Sequence, residues 1–144
     1  MYSFVRQLLK AKAHHVWAIS PQKTVYEALQ LMAEKNIGAL VVIDHGKVVG
    51  VFSERDYARK CILKGKHSQD TPVSELMSKE VVSVSPEESI QNCMTLMTTK
   101  RARHIPVVES GKLVGVISIG DIVKAVIDDR EFTIQELERY ITGT

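Results

Sequence analysis

Cysteine, aromatic residues, net charge and long apolar runs are all scarce in this chain, and each scarcity closes off a class of function. The two cysteines, Cys61 and Cys93, lie 32 residues apart with no Cys-x-x-Cys spacing. Both fall in segments of helical pattern, which points to buried reduced thiols and not to a disulfide or a metal site. His14, His15, His45, His67 and His104 share no ligand spacing. Neither standard glycine-rich phosphate loop is present, nor a Gly-x-Ser-x-Gly nucleophile turn. The acidic residues sit in cap, hairpin-turn or exposed-helix settings, where no general acid–base pair forms. No catalytic residue, catalytic cofactor or metal is expected.

Nineteen Lys and Arg against 17 Asp and Glu leave a net charge of only +2, too little for long-range steering toward a polyanion. Aromatics make up 6% of the chain and are not interleaved with basic residues. A nucleic-acid stacking platform is therefore disfavoured, although "RDYARK" with "KGK" makes a modest basic cluster. The longest apolar run, "IGALVVI" from Ile37 to Ile43, has the length of a strand and not of a membrane span. Arg6, Lys10 and Lys12 interrupt the N-terminal apolar cluster where a signal peptide would be continuous. A cytoplasmic location with no membrane partner is the expectation.

What the chain does have is repetition. "GVFSERD", Gly50 to Asp56, returns as "GVISIGD", Gly115 to Asp121, at an offset of 65. The same offset relates Ser20-Pro21 to Ser85-Pro86, Leu31-Met32 to Leu96-Met97, Lys35 to Lys100 and Gly46-Lys47 to Gly111-Lys112. A register held without a gap from Ser20 to Asp56 implies two copies of one supersecondary unit.

Each copy reads alike. A helix opens after Thr24 or Ser89, whose hydroxyl suits an N-cap. Apolar positions follow at helical spacing, Val25, Leu29 and Met32 in one copy and Ile90, Cys93, Met94 and Met97 in the other. "ALVVI" or "IPVV" reads as a strand, and "DHGK" or "ESGK" as a tight hairpin turn into "VVGVFS" or "LVGVIS". A second helix starts near Asp56 or Asp121. Upstream, "VRQLL" and "VSELM" match as short helices at an offset of 68, leaving about three extra residues near "AKAHHVW", before the strand positions "VWAI" and "VVSV". Lys66 to Thr71 reads as a linker. Residues 133–142 read as an additional C-terminal helix opened by a Thr133–Glu136 capping box, with Ile134, Leu137 and Ile141 as an uncovered apolar stripe.

A copy of about 60 residues buries little by itself. The expected fold class is therefore α+β, two pseudo-symmetric β-α-β-β-α repeats packed through their sheets, with two equivalent clefts. The first repeat spans 5–65 and the second 72–129. The paired Ser53/Asp56 and Ser118/Asp121 admit two readings. An Asp in a first helical turn caps it; a recurring Ser-x-x-Asp also suits a carboxylate on a ribose diol, with the Ser and helix N–H groups near phosphate.

The repeat, the two "GV-x-S-x-x-D" motifs and the "RARHIPVV" segment resemble tandem cystathionine-β-synthase (CBS) domains over nearly the whole chain, from about Val5 to Asp129. The resemblance implies a disc-like regulatory module that binds an adenosine nucleotide (AMP, ADP, ATP or NAD) or S-adenosylmethionine, and that forms a homodimer. It further implies that Asp56 and Asp121 bind ribose, and that Ser53 and Ser118 lie near sugar or phosphate. Adenine would sit against Ile37, Gly38 and Ala39 in a first cleft and against Ala102, His104 and Pro106 in a second. Thr24 and Ser89 occupy helix starts that can face a ligand. Arg101, Arg103 and His104 are the phosphate candidates of the second cleft, and Arg55 and Arg59 those of the first. The rival readings are a ligand-free dimeric scaffold for a protein target and, with less support from charge, a nucleic-acid accessory.

Overall fold

The computed structural model describes residues 3–11 and 16–142. Two β-hairpins form its centre. In the first, β2 (Ala39–Asp44) pairs antiparallel with β3 (Lys47–Ser53); in the second, β4 (His104–Glu109) pairs antiparallel with β5 (Lys112–Ser118). Both hairpins turn through two residues of positive φ, His45 and Gly46 at 51° and 78°, Ser110 and Gly111 at 52° and 77°. Such a pair matches the right-handed twist of the flanking strands. Both also carry a register shift at the same place, after Val42 and after Val107. The repeat is reproduced down to its irregularities.

A helix precedes each hairpin, α2 (Val25–Lys35) and α5 (Ile90–Thr99). Thr24 Oγ1 accepts from the Glu27 N–H at 3.1 Å, and Ser89 Oγ from the Asn92 N–H at 3.0 Å. The expected caps are therefore in place. Val25, Ala28 and Met32 bury one face of α2, and Ile90, Cys93 and Met97 one face of α5. Met94, read as part of that stripe, is 42% exposed; it lies one residue beyond Cys93 and so turns off the buried face.

The strand before each helix is shorter than its β-branched residues suggest. β1 is Ala18–Ile19, parallel to β2, and in the second repeat only Val84 bridges, to Val107. Trp17 instead packs against the first core, with Lys35 Nζ 4.3 Å from its ring centre.

The short helices α1 (Val5–Ala11) and α4 (Val73–Leu76) each cross to the other repeat. Val5, Leu8 and Leu9 of α1 complete the core of the second repeat with Ile90, Cys93, Ile105, Val107 and Ile117. Val73 and Leu76 of α4 complete that of the first with Val25, Met32, Leu40, Val42 and Phe52. The backbone bonds are exchanged in the same sense: Val5 N–H to Glu88 O (2.9 Å) and Val73 N–H to Lys23 O (2.8 Å). Arg6 adds ion pairs from α1 to Glu87 and Glu109. Val41 and its counterpart Pro106 are buried outside both clusters.

The repeats differ after the hairpin. In the first, α3 (Glu54–Asp56) runs into a π-helical segment, Tyr57–Ile62. In the second, α6 runs unbroken from Ile119 to Thr142. The separate C-terminal helix expected over 133–142 is thus the end of α6, and no helix starts at Thr133; no Gly or Pro lies between Asp121 and Thr142 to stop the helix. The extra residues expected near "AKAHHVW" fall largely at 12–15, outside the described residues. Among the described residues no helix is long and apolar enough to cross a membrane.

Gly50 and Gly115 let the exchanged segments approach the hairpins. A Cβ on Gly50 would lie 2.6 Å from Met77 Sδ and 2.9 Å from the Ser78 carbonyl oxygen, whereas the three atoms nearest to one on Gly115 all belong to the Leu9 side chain, the first at 2.6 Å. Backbone cannot step aside as a leucine tip can. Gly50→Ala is therefore expected to lower stability by about 1–3 kcal/mol, and Gly115→Ala by clearly less, as read from urea denaturation midpoints.

Candidate functional site

The two repeated Ser-x-x-Asp motifs fold as capping boxes. Asp56 Oδ2 accepts from the Ser53 N–H at 2.9 Å and from the Ser53 hydroxyl at 3.1 Å, and Ser53 Oγ accepts from the Asp56 N–H at 3.2 Å. Asp121 Oδ2 accepts from the Ser118 N–H at 2.9 Å, and Ser118 Oγ from the Asp121 N–H at 3.1 Å. Reciprocal bonds of this kind satisfy two N–H groups at the strand-to-helix corner. The recurrence of the hydroxyl and the carboxylate three residues apart has a structural cause in both repeats.

At the first motif the corner also borders a cavity. Its volume is about 790 Å³, and its walls come from both repeats. The first supplies Gly38, Val51, Ser53, Glu54, Arg55, Asp56, Arg59 and Lys60; the second supplies Met97, Thr98, Arg101, Ala102, Arg103, His104, Pro106 and Ile119. Ser78, Glu80, Val81 and Val82, from the segment that joins α4 to the second repeat, close one side.

This arrangement corrects the pairing read from sequence. The Arg101–His104 stretch shares a cavity with the Ser53–Asp56 motif of the other repeat. Gly38 lines the same cavity, while Ile37 packs against the first core and Ala39 is half-buried in β2. Thr24 and Ser89 act as N-caps outside this cavity, as do Ser118 and Asp121 in their own capping box. Glu54, Ser78 and the Glu80–Val82 stretch were not singled out from sequence, and Lys60 only as part of the basic "RDYARK" cluster. "VVSV" carries the pattern of a strand, and nothing in its composition marks it as a cavity wall.

The electrostatics are lopsided. Five cationic side chains (Arg55, Arg59, Lys60, Arg101 and Arg103) face three carboxylates, those of Glu54, Asp56 and Glu80. Asp56 Oδ1 pairs with Lys60 Nζ at 3.1 Å, and Lys60 also donates to the Leu76 carbonyl at 3.2 Å. Arg103 first, and then Arg59, hold Arg55 below its ordinary value by charge repulsion, with Asp56 opposing them. By contrast, burial, with the charge of Glu88 adding, pushes the Cys93 thiol up to about 11, so it stays protonated and is no nucleophile. Among the described residues no group of three His, Cys, Asp or Glu is placed to hold a metal ion.

Arg101 has φ 53°, the left-handed conformation that its counterpart Asn36 adopts at φ 54° after α2. Asn adopts that region at lower cost than Arg. Because the Arg101 side chain is exposed, Arg101→Asn is expected to raise stability by about 1 kcal/mol, measured as a higher denaturation midpoint.

A family model described as "CBS domain" matches residues 6–62 and 73–128. Among curated proteins, the mitochondrial CBS domain-containing protein CBSX3 of Arabidopsis thaliana is 42% identical over 125 residues, 83% of this chain and 61% of the relative. The chain thus spans less than two thirds of that relative's length. A solved structure of a protein with CBS domains from Burkholderia ambifaria is 48% identical, with a TM-score of 0.85 over 88% of this chain and 96% of the other. The CBS domain pair of protein MJ0100, solved with 5′-methylthioadenosine and S-adenosyl-L-methionine, is 21% identical at a TM-score of 0.79, over 90% of this chain and 99% of the other, and shares the fold.

Proposed function

The chain belongs to the CBS-domain family, and from that premise we propose that it is a sensor of an adenosine nucleotide or related adenosyl compound. Two CBS repeats form a regulatory module and not an enzyme. The observation that carries the ligand reading is the inter-repeat cavity with Ser53 and Asp56 at its edge and arginines on its walls. A carboxylate offers about four acceptor sites. Ser53 occupies those on the Asp56 Oδ2 side and Lys60 one on Oδ1, so Asp56 can still take a ribose hydroxyl while its cap stays intact. Val51 and Ala102 offer apolar surface for a base, with the buried Pro106 behind them. The adenosyl ligands of the MJ0100 pair lend the same reading support by analogy of fold.

Occupancy has a route to the rest of the molecule. Ile119 lines the cavity and begins α6, where Ile119, Val123, Ile127, Ile134, Leu137 and Ile141 are all 41% exposed or more. Their spacing keeps them on one face at 3.6 residues per turn, a stripe about 33 Å long. We read this stripe as the face of a homodimer. A ligand shifts such an assembly only if it binds the two arrangements with different affinity, and contact with Ile119 supplies a basis for that difference. Ile127→Glu is expected to turn a dimer into a monomer by size-exclusion light scattering; a parent chain that is itself monomeric rules the dimer out.

The nucleotide reading is tested by isothermal titration with AMP, ADP, ATP, NAD and S-adenosylmethionine. Saturable binding of at least one of them is expected, weakened about tenfold or more by Asp56→Ala. Flat titrations for all five, with folded protein free of co-purified nucleotide, overturn the reading in favour of a ligand-free scaffold.

A further inference from the structure

We infer that the ligand of this cavity carries at least two adjoining phosphates, which Arg55, Arg59 and Arg103 take as a set. The nucleoside end of such a ligand rests on the adenosyl reading above; the phosphate end rests on the arginines themselves.

Arg55 and Arg59 come from the first repeat and Arg103 from the second, yet all three line one cavity. Among the described residues none of the three makes an ion pair, since the nearby Asp56 is engaged by Lys60 and by its own cap. Arg55 is repelled by both of the others. Three guanidiniums whose mutual repulsion Asp56 offsets only in part weigh against folding, so the fold itself does not explain them.

The internal repeat provides the control. At the offset of 65, Arg103 corresponds to Gly38, Arg55 to Gly120 and Arg59 to Lys124. At the first two pairs the corner is built alike: the Ile119 N–H donates to Arg103 O, and the Glu54 N–H donates to Gly38 O, both at 3.0 Å, whereas Arg59 lies in a π-helical segment and Lys124 in an α-helix. One copy builds this corner with glycine where the other has arginine. Arginine at these places is an addition to the scaffold and not a requirement of it.

Each guanidinium presents a planar fork of five N–H donors that matches phosphate oxygens in pairs. One or two forks suffice for a single phosphate, whereas three from different directions suit a di- or triphosphate tail. A neutral thioether would leave the cluster uncompensated, and a sulfonium would add a like charge. The chemistry selects nucleoside di- and triphosphates over nucleoside monophosphates and S-adenosylmethionine.

The test is titration of the full chain with ATP, ADP, AMP, adenosine, S-adenosylmethionine and inorganic tripolyphosphate, on the parent and on Arg103→Gly, which installs the residue of the equivalent position. ATP and ADP are expected to bind at least about tenfold more tightly than AMP, with tripolyphosphate competing against ATP. Arg103→Gly should weaken ATP by about ten- to a hundredfold and AMP by far less, with a retained cooperative denaturation transition showing intact folding. Adenosine, AMP and ATP binding alike, or an ATP-to-AMP ratio unmoved by Arg103→Gly, overturns the polyphosphate inference while leaving the adenosyl reading standing. Arg103-dependent binding of tripolyphosphate with no contribution from adenosine supports the polyphosphate inference and overturns the adenosyl reading instead.

Discussion

Neither repeat can close its own core, and the rest of the molecule depends on that constraint. The sheet and helix of the second repeat leave Ile90, Cys93, Ile105 and Ile117 to be covered by Val5, Leu8 and Leu9 from the start of the chain. The first repeat is covered by Val73 and Leu76 from the segment that leads into the second. Removing either short helix would expose several fully buried aliphatic side chains, each contributing about 1.5–3 kcal/mol by its burial, a large fraction of the stability of a domain this size. The two glycines of the hairpins allow this cover to sit close. Folding of one repeat therefore presupposes the other, and the two hairpins are held in fixed relation.

That fixed relation gives the cavity its meaning. Its walls are drawn from opposite repeats, so any ligand in it contacts both at once. The corner at Ser53 and Asp56 is rigid because its hydrogen bonds are reciprocal, and the opposite wall is tied down by the bond from the Ile119 N–H to Arg103 O. Pre-organised walls lower the ordering cost of binding. Lys60 joins Asp56 to the Leu76 carbonyl of α4, which places one of the exchanged helices in the same polar network as the candidate ligand site.

Much of this was legible in the sequence because it is written locally and twice. The N-caps at Thr24 and Ser89, the Gly46 and Gly111 turns and the paired motifs each depend on residues within about four positions of one another. The constant offset distinguished them from coincidence. Which residues of the two repeats meet in one cleft is a long-range fact with no local signature, so the residues of each cleft were all drawn from one repeat. The length of α6 was misread for a related reason: a Thr followed by a Glu three residues on has the form of a capping box, but it starts a helix only where the chain is not already helical. Composition likewise overstated the first strand of each repeat. Val81 and Val82 have strand propensity, but β-propensity reflects how a side chain packs on its neighbours, and these two face the cavity.

The symmetry of the scaffold and the asymmetry of its surface answer different requirements. Positions that maintain the fold, such as the caps, the hairpin glycines and the Ser-x-x-Asp corners, are kept in both copies. Several positions that face the cavity have diverged, with Gly38 against Arg103 and Gly120 against Arg55 at corners closed by the same backbone bond. Arg101 goes further, since it holds a left-handed backbone conformation that Asn36 adopts at lower cost. A residue that is unfavourable where it stands, beside others that repel one another, is not accounted for by stability. In a molecule with its own internal control, the places where the two halves disagree locate the chemistry, and here they converge on a single positively charged corner between the repeats.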